Sequence, residues 1–342
     1  MKAAAIRRHG GPDVLRLEEL PDPVAGYGEA SIRVGACALN HLDLWTRRGL
    51  PGRTTTFPHV LGNDIAGEIA TLGSPAEDLS LGQRVMVSPG ISCGRCRACL
   101  HGEDSSCRGY RILGCQLHGG YAEYVCCPLA NLIPLPDGFG FEEAAAFPLV
   151  FLTAWRMLIS RARLRAAEDV LVWAAGSGIG MAAIQVAKLM GARVIATAGS
   201  DRKLDQAKFL GADHVIHHYR DDVVAEVKRL TDKRGVDVVV EHVGQATWER
   251  SILALAQRGR LVTCGATTGP QGMTELRYVF SKQLSMLGSY MGSKAELLEA
   301  ADFFFARKLR TVVHATLPMA EARRAHEIME ASEHFGKIVL VP

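Results

Sequence analysis

Val170-Leu-Val-Trp173-Ala-Ala-Gly176-Ser177-Gly178-Ile179-Gly180-Met-Ala-Ala183 is the stretch that decides the fold. It opens on an apolar run of strand length, passes three glycines at alternate positions, and enters a helical segment that reaches about Met190. Gly176 permits a tight turn, and Gly178 lets a pyrophosphate approach the backbone. Gly180, with Ala182 and Ala183, allows the helix to pack closely on a sheet. The helix N-terminus adds N–H groups and a positive dipole end. Glycine triplets also mark purely structural turns, but here the strand before and the helix after supply the context of a dinucleotide site. Ser177 and Ile179 lie in the same turn and join the cofactor-binding set.

Strands and helix-length segments alternate beyond this turn. Val194-Ile-Ala-Thr197, a helical stretch through Phe209, Val236-Asp-Val-Val-Val240, Gly259-Arg-Leu-Val-Thr263 and Leu284-Ser-Met-Leu287 follow in order. Such alternation predicts right-handed crossovers and a doubly wound parallel sheet, hence an α/β fold. Before residue 150 the character differs. Ala30-Ser-Ile-Arg-Val34, Asp64-Ile-Ala-Gly-Glu-Ile69, Gln83-Arg-Val-Met-Val87 and Tyr121-Ala-Glu-Tyr-Val125 are short β-like runs broken by Gly and Pro. They predict a barrel-like β-rich unit. The tail predicts helices over 295–308 and 320–333 and a last strand, Lys337-Ile-Val-Leu-Val341.

The end of the second strand bears on the choice of dinucleotide. NAD-preferring sites place an acidic residue about 20 positions after the first glycine, where it meets the ribose 2′-OH. Ala198 stands in that slot, and Ser200, Arg202 and Lys203 follow. No carboxylate there repels a 2′-phosphate, so NADPH is expected. The plainer alternative is that Arg202 and Lys203 merely begin a solvated helix.

Cys93-Gly-Arg-Cys96-Arg-Ala-Cys99-Leu-His-Gly-Glu-Asp-Ser-Ser-Cys107 places four thiols within one loop. Two residues between neighbouring cysteines is ligand spacing, and four thiolates fill the tetrahedral shell of one Zn²⁺, leaving no position for substrate. The expected ion is one structural zinc. Two disulfides or four unrelated thiols are the alternatives.

Composition narrows the function classes. The 342 residues are 48% hydrophobic, enough for two domains with substantial cores. Lys plus Arg number 39 against 36 for Asp plus Glu, a formal net charge of +3, and the charges are scattered. Neither nucleic acid nor a membrane surface is an expected partner; a small-molecule substrate is. The N-terminus lacks a signal-peptide pattern and no membrane span is expected, so a cytoplasmic setting is the expectation.

Gly62-Asn-Asp-Ile-Ala-Gly67, the cysteine quartet, Gly119-Gly-Tyr-Ala-Glu-Tyr124, Thr153-Ala-Trp155, the Gly176 turn and Leu284-Ser-Met-Leu-Gly-Ser289 together resemble the medium-chain dehydrogenase/reductase superfamily. The resemblance covers essentially the whole chain. It implies a GroES-like catalytic domain over 1–150 and 293–342, a Rossmann cofactor domain over 151–292, and an active site in the cleft. It also implies a homodimer or homotetramer through the cofactor domain, places Thr153 beside the nicotinamide, and adds Gly265 to the cofactor-binding residues.

The departures from the family pattern carry the functional expectation. Zinc alcohol dehydrogenases hold a second, catalytic zinc with a Cys, a His and a further Cys or Glu. On the matching motifs those positions are Asn40, Asn63 and Leu149, with Asp64 beside Asn63. Two amides and an aliphatic side chain do not hold Zn²⁺. The resemblance therefore implies hydride transfer from NADPH to an already electrophilic acceptor. That acceptor is a conjugated C=C in an enone, enal or enoyl thioester, or a quinone, as in the superfamily's quinone oxidoreductases and enoyl thioester reductases. Asn40 and Asn63 are candidates to bind substrate or ribose, or else cap nearby turns. Asp43 is a candidate catalytic residue or a structural partner. His41, Asp43, His59 or solvent supplies the proton. The alternatives are a zinc-type alcohol dehydrogenase, with an irregular site from His41, Asp43, His59 and Asp64, and a non-catalytic NADPH sensor.

Overall fold

Six strands, Asp169–Val172, Arg193–Ala198, His214–His217, Val236–Glu241, Leu255–Thr263 and Ser285–Gly288, pair in the order third-second-first-fourth-fifth-sixth. All five pairings are parallel. The strands are near-continuous apolar runs because helices cover both faces of a parallel sheet. Leu171, Val172, Ile195, Val239 and Leu261 are fully buried. The order reverses between the first and fourth strands, and ligands bind beyond the carboxyl ends at such a point. The computed structural model describes residues 1–342. This sheet belongs to one unit, Val150–Gly292 with Glu299–Leu309.

The other unit comprises Met1–Leu149, Ser293–Leu298 and Arg310–Pro342. Its main sheet is built on Glu29–Ala38, which pairs antiparallel with Asp64–Leu72 along one edge. Along its other edge lie Tyr124–Pro128 and then Lys337–Val341. Arg84–Val87 and Leu132–Pro134 extend the sheet one way and Val313–Pro318 the other. A three-stranded sheet of Arg16–Glu19, Lys2–Ile6 and His59–Val60 packs into the same core. The unit is β-rich, as the short strands before residue 150 predict.

Four details differ from the sequence-based expectation. Residues 299–309 group with the sheet unit, because Trp155 Nε1 donates to Glu299 Oε2 at 3.1 Å and the Trp155 and Phe303 rings lie 5.5 Å apart. Tyr121 precedes its strand, which runs Tyr124–Pro128. Helix His41–Arg48 follows Asn40 directly, where no helix was expected. One stretch, Phe141–Arg161, is long and apolar enough to cross a membrane, contrary to expectation. Its apolar window is 83% buried inside the fold, which accounts for its composition as core.

Candidate functional site

Sheet register gathers one polar cluster. Ala38 lies opposite Asp64 on one side and Val339 on the other, and Leu39 N–H donates to Ile338 O at 2.9 Å. Asn40, Asp64 and Lys337 are thereby brought together. Lys337 Nζ donates to Asn40 Oδ1 at 2.5 Å and to Asp64 Oδ2 at 2.9 Å. Asn40 Nδ2 donates to Asp64 Oδ2 at 2.9 Å, and Leu149 N–H donates to Asp64 Oδ1 at 2.8 Å. All three polar residues are buried. Sequence reasoning missed Lys337, because a lysine opening a terminal strand reads as solvent-facing.

Asn40 also begins helix His41–Arg48. Its backbone N–H donates to Asp43 Oδ2 at 2.7 Å, while Gly62 N–H donates to Asp43 Oδ1 at 2.9 Å. Burial pushes the Asp43 carboxyl up to about 7, opposed by these two N–H groups. Asn63 has a different task. Its Nδ2 donates to Leu113 O at 2.6 Å, and its buried Oδ1 has no partner. His59 Nε2 faces Gly114 O at 3.2 Å, and a carbonyl only accepts, so the proton sits on Nε2. Burial holds His59 down to about 4. The structure thus joins Asn40 and Asp43 through one helix start and turns Asn63 toward the Leu113 loop.

In the sheet unit, Ser177 caps helix Gly178–Leu189, its Oγ accepting from Gly180 N–H at 2.9 Å. A Cβ on Gly180 would lie 2.3 Å from Ala174 O, so close helix-on-strand packing requires this glycine. The left-handed turn conformation falls on Ala174, φ 47°, and not on Gly176 as expected. Gly176 instead leaves room for Lys203, whose Cδ would lie 3.0 Å from a Cβ there. Ser200 precedes helix Asp201–Phe209, with Arg202 exposed in its first turn. Gly265 follows the fifth strand, and its carbonyl accepts from Thr263 Oγ1 at 3.2 Å. His242 was not foreseen. Its Nε2 donates to Trp173 O at 3.0 Å, and Ser177 Oγ lies 3.4 Å away, against the glycine turn. Thr153 is buried in helix Pro148–Trp155, which runs on as a π-helical turn, Arg156–Arg161. Such turns occur often at functional sites.

The four sulfurs of Cys93, Cys96, Cys99 and Cys107 lie within 4.8 Å of one another. Tetrahedral Zn²⁺ with Zn–S of about 2.3 Å needs sulfur separations of about 3.8 Å. Cys96 and Cys93 lie 3.5 and 3.9 Å from the Cys99 sulfur. The donor set and its spacing fit zinc. Gly94 and Gly102, φ 69° and 74°, take the left-handed turns that fold the loop back. The Cys93 thiol is held down to about 6, chiefly by the backbone N–H of Arg95. No second group of three or more metal-binding side chains converges, so His41, Asp43, His59 and Asp64 form no alternative centre.

The chain matches a zinc-binding dehydrogenase family model over residues 178–306 and an alcohol dehydrogenase GroES-like domain model over residues 26–137. It is 32% identical to a quinone oxidoreductase of Pseudomonas aeruginosa, with 100% of this chain and 99% of the relative covered. It is 30% identical to an NAD-dependent alcohol dehydrogenase of Sulfolobus acidocaldarius, with 99% of each covered. It is similar to the crystal structure of an NAD-dependent alcohol dehydrogenase at 48% identity and a TM-score of 0.97, both chains covered fully.

Proposed function

The chain belongs to the medium-chain dehydrogenase/reductase superfamily, zinc-type alcohol-dehydrogenase-like oxidoreductases, and we propose that it is an NADPH-dependent reductase of conjugated C=C bonds or quinones that works without a catalytic metal. One observation carries this reading. Where the family's zinc enzymes place metal ligands, Asn40 is held by Lys337 and Asp64, Asn63 holds a loop, and Leu149 offers only its backbone N–H, to Asp64.

When bound, NADPH supplies a hydride to the β-carbon of the acceptor. The chain's own residues bind and orient. The Gly176–Gly180 turn and the helix it opens hold the pyrophosphate, with Ser177 and Ile179 in the turn and Gly265 at the neighbouring strand end. Thr153 borders the nicotinamide. Asn40 donates to the acceptor's carbonyl oxygen as charge develops there. Solvent protonates the α-carbon, because burial keeps His59 neutral and Asp43 is engaged by two backbone N–H groups. Cys93, Cys96, Cys99 and Cys107 hold one zinc, which stabilises their loop and takes no part in chemistry.

Ser200, Arg202 and Lys203, with Ala198 in the acidic slot, support NADPH. NAD is the second reading, favoured by the place of Lys203 over Gly176, where it would serve the pyrophosphate common to both cofactors. A homodimer or homotetramer would form through the sheet unit, whose last strand, Ser285–Gly288, is an edge. Leu276 and Phe280, 70% and 71% exposed, lie on the preceding helix, and apolar surface beside a sheet edge suits association. A cytoplasmic setting agrees with nine cysteines of which none is paired in a disulfide.

An NADPH-oxidation screen over enones, quinones and enoyl-CoA esters, run beside metal analysis, tests the proposal. Turnover on at least one acceptor class is expected, with one zinc per chain that is lost in Cys107→Ser. Ready turnover of simple alcohols with NADP⁺, combined with two zincs per chain and inactivity on the acceptors, would overturn it.

A further inference from the structure

The Lys337 ammonium decides how Asn40 presents its amide. Lys337 is 1% exposed and meets Asn40 Oδ1 at 2.5 Å. An ammonium only donates, so the Asn40 atom facing it is the carbonyl oxygen, and the amide has one permitted orientation. Its nitrogen faces the same ion pair through the Asp64 carboxylate. One N–H goes to Asp64 Oδ2 at 2.9 Å, and an amide nitrogen carries a second. Asp64 is held in turn by Lys337 Nζ and by Leu149 N–H, so the frame around Asn40 is rigid.

We propose that Lys337 is a positioning residue of the reaction, acting through Asn40 to make its carboxamide a fixed, charge-assisted N–H donor for the substrate's carbonyl oxygen. The proposal rests on Asn40 handling the substrate, as read above. A cation on Oδ1 polarises the amide and strengthens its N–H as a donor. It also stops the amide from rotating and turning a lone pair toward an oxygen that gains negative charge during hydride transfer. A preorganised donor at a developing oxyanion contributes to turnover and little to ground-state binding.

Removing Lys337 alone would leave the Asp64 carboxylate buried and unpaired and would risk the fold. The informative variant is therefore Lys337→Met/Asp64→Asn, which removes both charges together, with melting temperature as the check on folding. Its kcat on whichever enone or quinone the protein reduces should fall about ten- to hundredfold, with KM within about threefold. A folded double variant with unchanged kcat would overturn the proposal. A second measurement needs no turnover. The Asn40 side-chain NH₂ signals, identified by their absence from Asn40→Asp, should be resolved and slow to exchange in the wild type. In the double variant they should shift and exchange faster. Unchanged signals would overturn the coupling. A wild-type protein inactive on all acceptors would instead refute the proposed function and leave this spectroscopic comparison to judge Lys337.

Discussion

Lys203 shows how one side chain separates two cofactor assignments. Its stem crosses the glycine turn, with Nζ 3.5 Å from where a Gly176 Cβ would stand. From there the ammonium can meet either a 2′-phosphate or the pyrophosphate, which only NADPH or both cofactors carry. If it meets the 2′-phosphate, Lys203→Ala should weaken NADPH by roughly one to two decades, the equivalent of about 1.5 to 3 kcal/mol for a charge-assisted bond. NADH should change less than about twofold. Fluorescence titration of both cofactors checks this, and equal losses would assign the lysine to the pyrophosphate and favour NAD. Asn63 makes the complementary point about residue-level roles. Its amide nitrogen is committed to Leu113 O, so its contribution is to hold a loop, while Asn40 faces a cation and an acid.

At the scale of elements, the turn into helix Gly178–Leu189 depends on contact between helix and strand more than on backbone freedom. Ala174 accepts the left-handed φ, and Gly180 is required because a Cβ would press on Ala174 O at 2.3 Å and on Ala175 Cα at 2.8 Å. Gly180→Ala should push the helix start away from the strand. Over-packing of this kind costs about 1 to 3 kcal/mol, and NADPH and NADH should both bind more weakly because their shared pyrophosphate site opens. Calorimetric melting combined with cofactor titration measures the two effects; unchanged affinity for both would show that the helix start lies clear of the site. The cysteine loop works by the opposite logic. Its short helix, Arg97–Leu100, has no buried residue, so ligand spacing and two left-handed glycines define it, and not apolar packing.

For the whole molecule, histidines that the fold desolvates set the response to acid. Burial holds His59 and His218 down to about 4 and His326 to about 3, and lowers His118 and His242 as well. Between the ordinary histidine value of about 6.5 and these values, the unfolded chain binds protons that the folded chain refuses. Stability from these groups is therefore present above pH 6.5 and is lost as pH falls. Asp43, raised to about 7 by burial, acts in the opposite sense, since the folded state holds its proton where the unfolded state does not. Five histidines outweigh one carboxyl, so net destabilisation on acidification is expected. His326 is wholly buried, with Nδ1 accepting from Arg47 Nη1 at 2.9 Å and Nε2 3.2 Å from Tyr121 Oη. His326→Gln keeps a donor and an acceptor there, and should remove about 1.4 kcal/mol per pH unit from the slope between pH 6 and pH 4. Urea unfolding across that range measures it; an unaltered slope would mean that His326 does not resist protonation in the fold.

The sequence alone determined the strand–glycine–helix passage, the parallel sheet that follows from its alternation, and the cysteine quartet. The passage and the quartet are each written within about fifteen residues as spacing and turn chemistry, and the sheet in the repeated periodicity of short segments. The absence of zinc-ligand chemistry at Asn40, Asn63 and Leu149 was legible for the same reason, since residue type decides it. What the tertiary structure decided is which partners those polar groups find. Lys337 and Asn40 stand 297 positions apart, and they meet because two strands flank Glu29–Ala38 in one register. Trp155 likewise draws Glu299 and Phe303 to the sheet unit from far along the chain. A buried polar group must be satisfied, but no local pattern names its partner; strand register does.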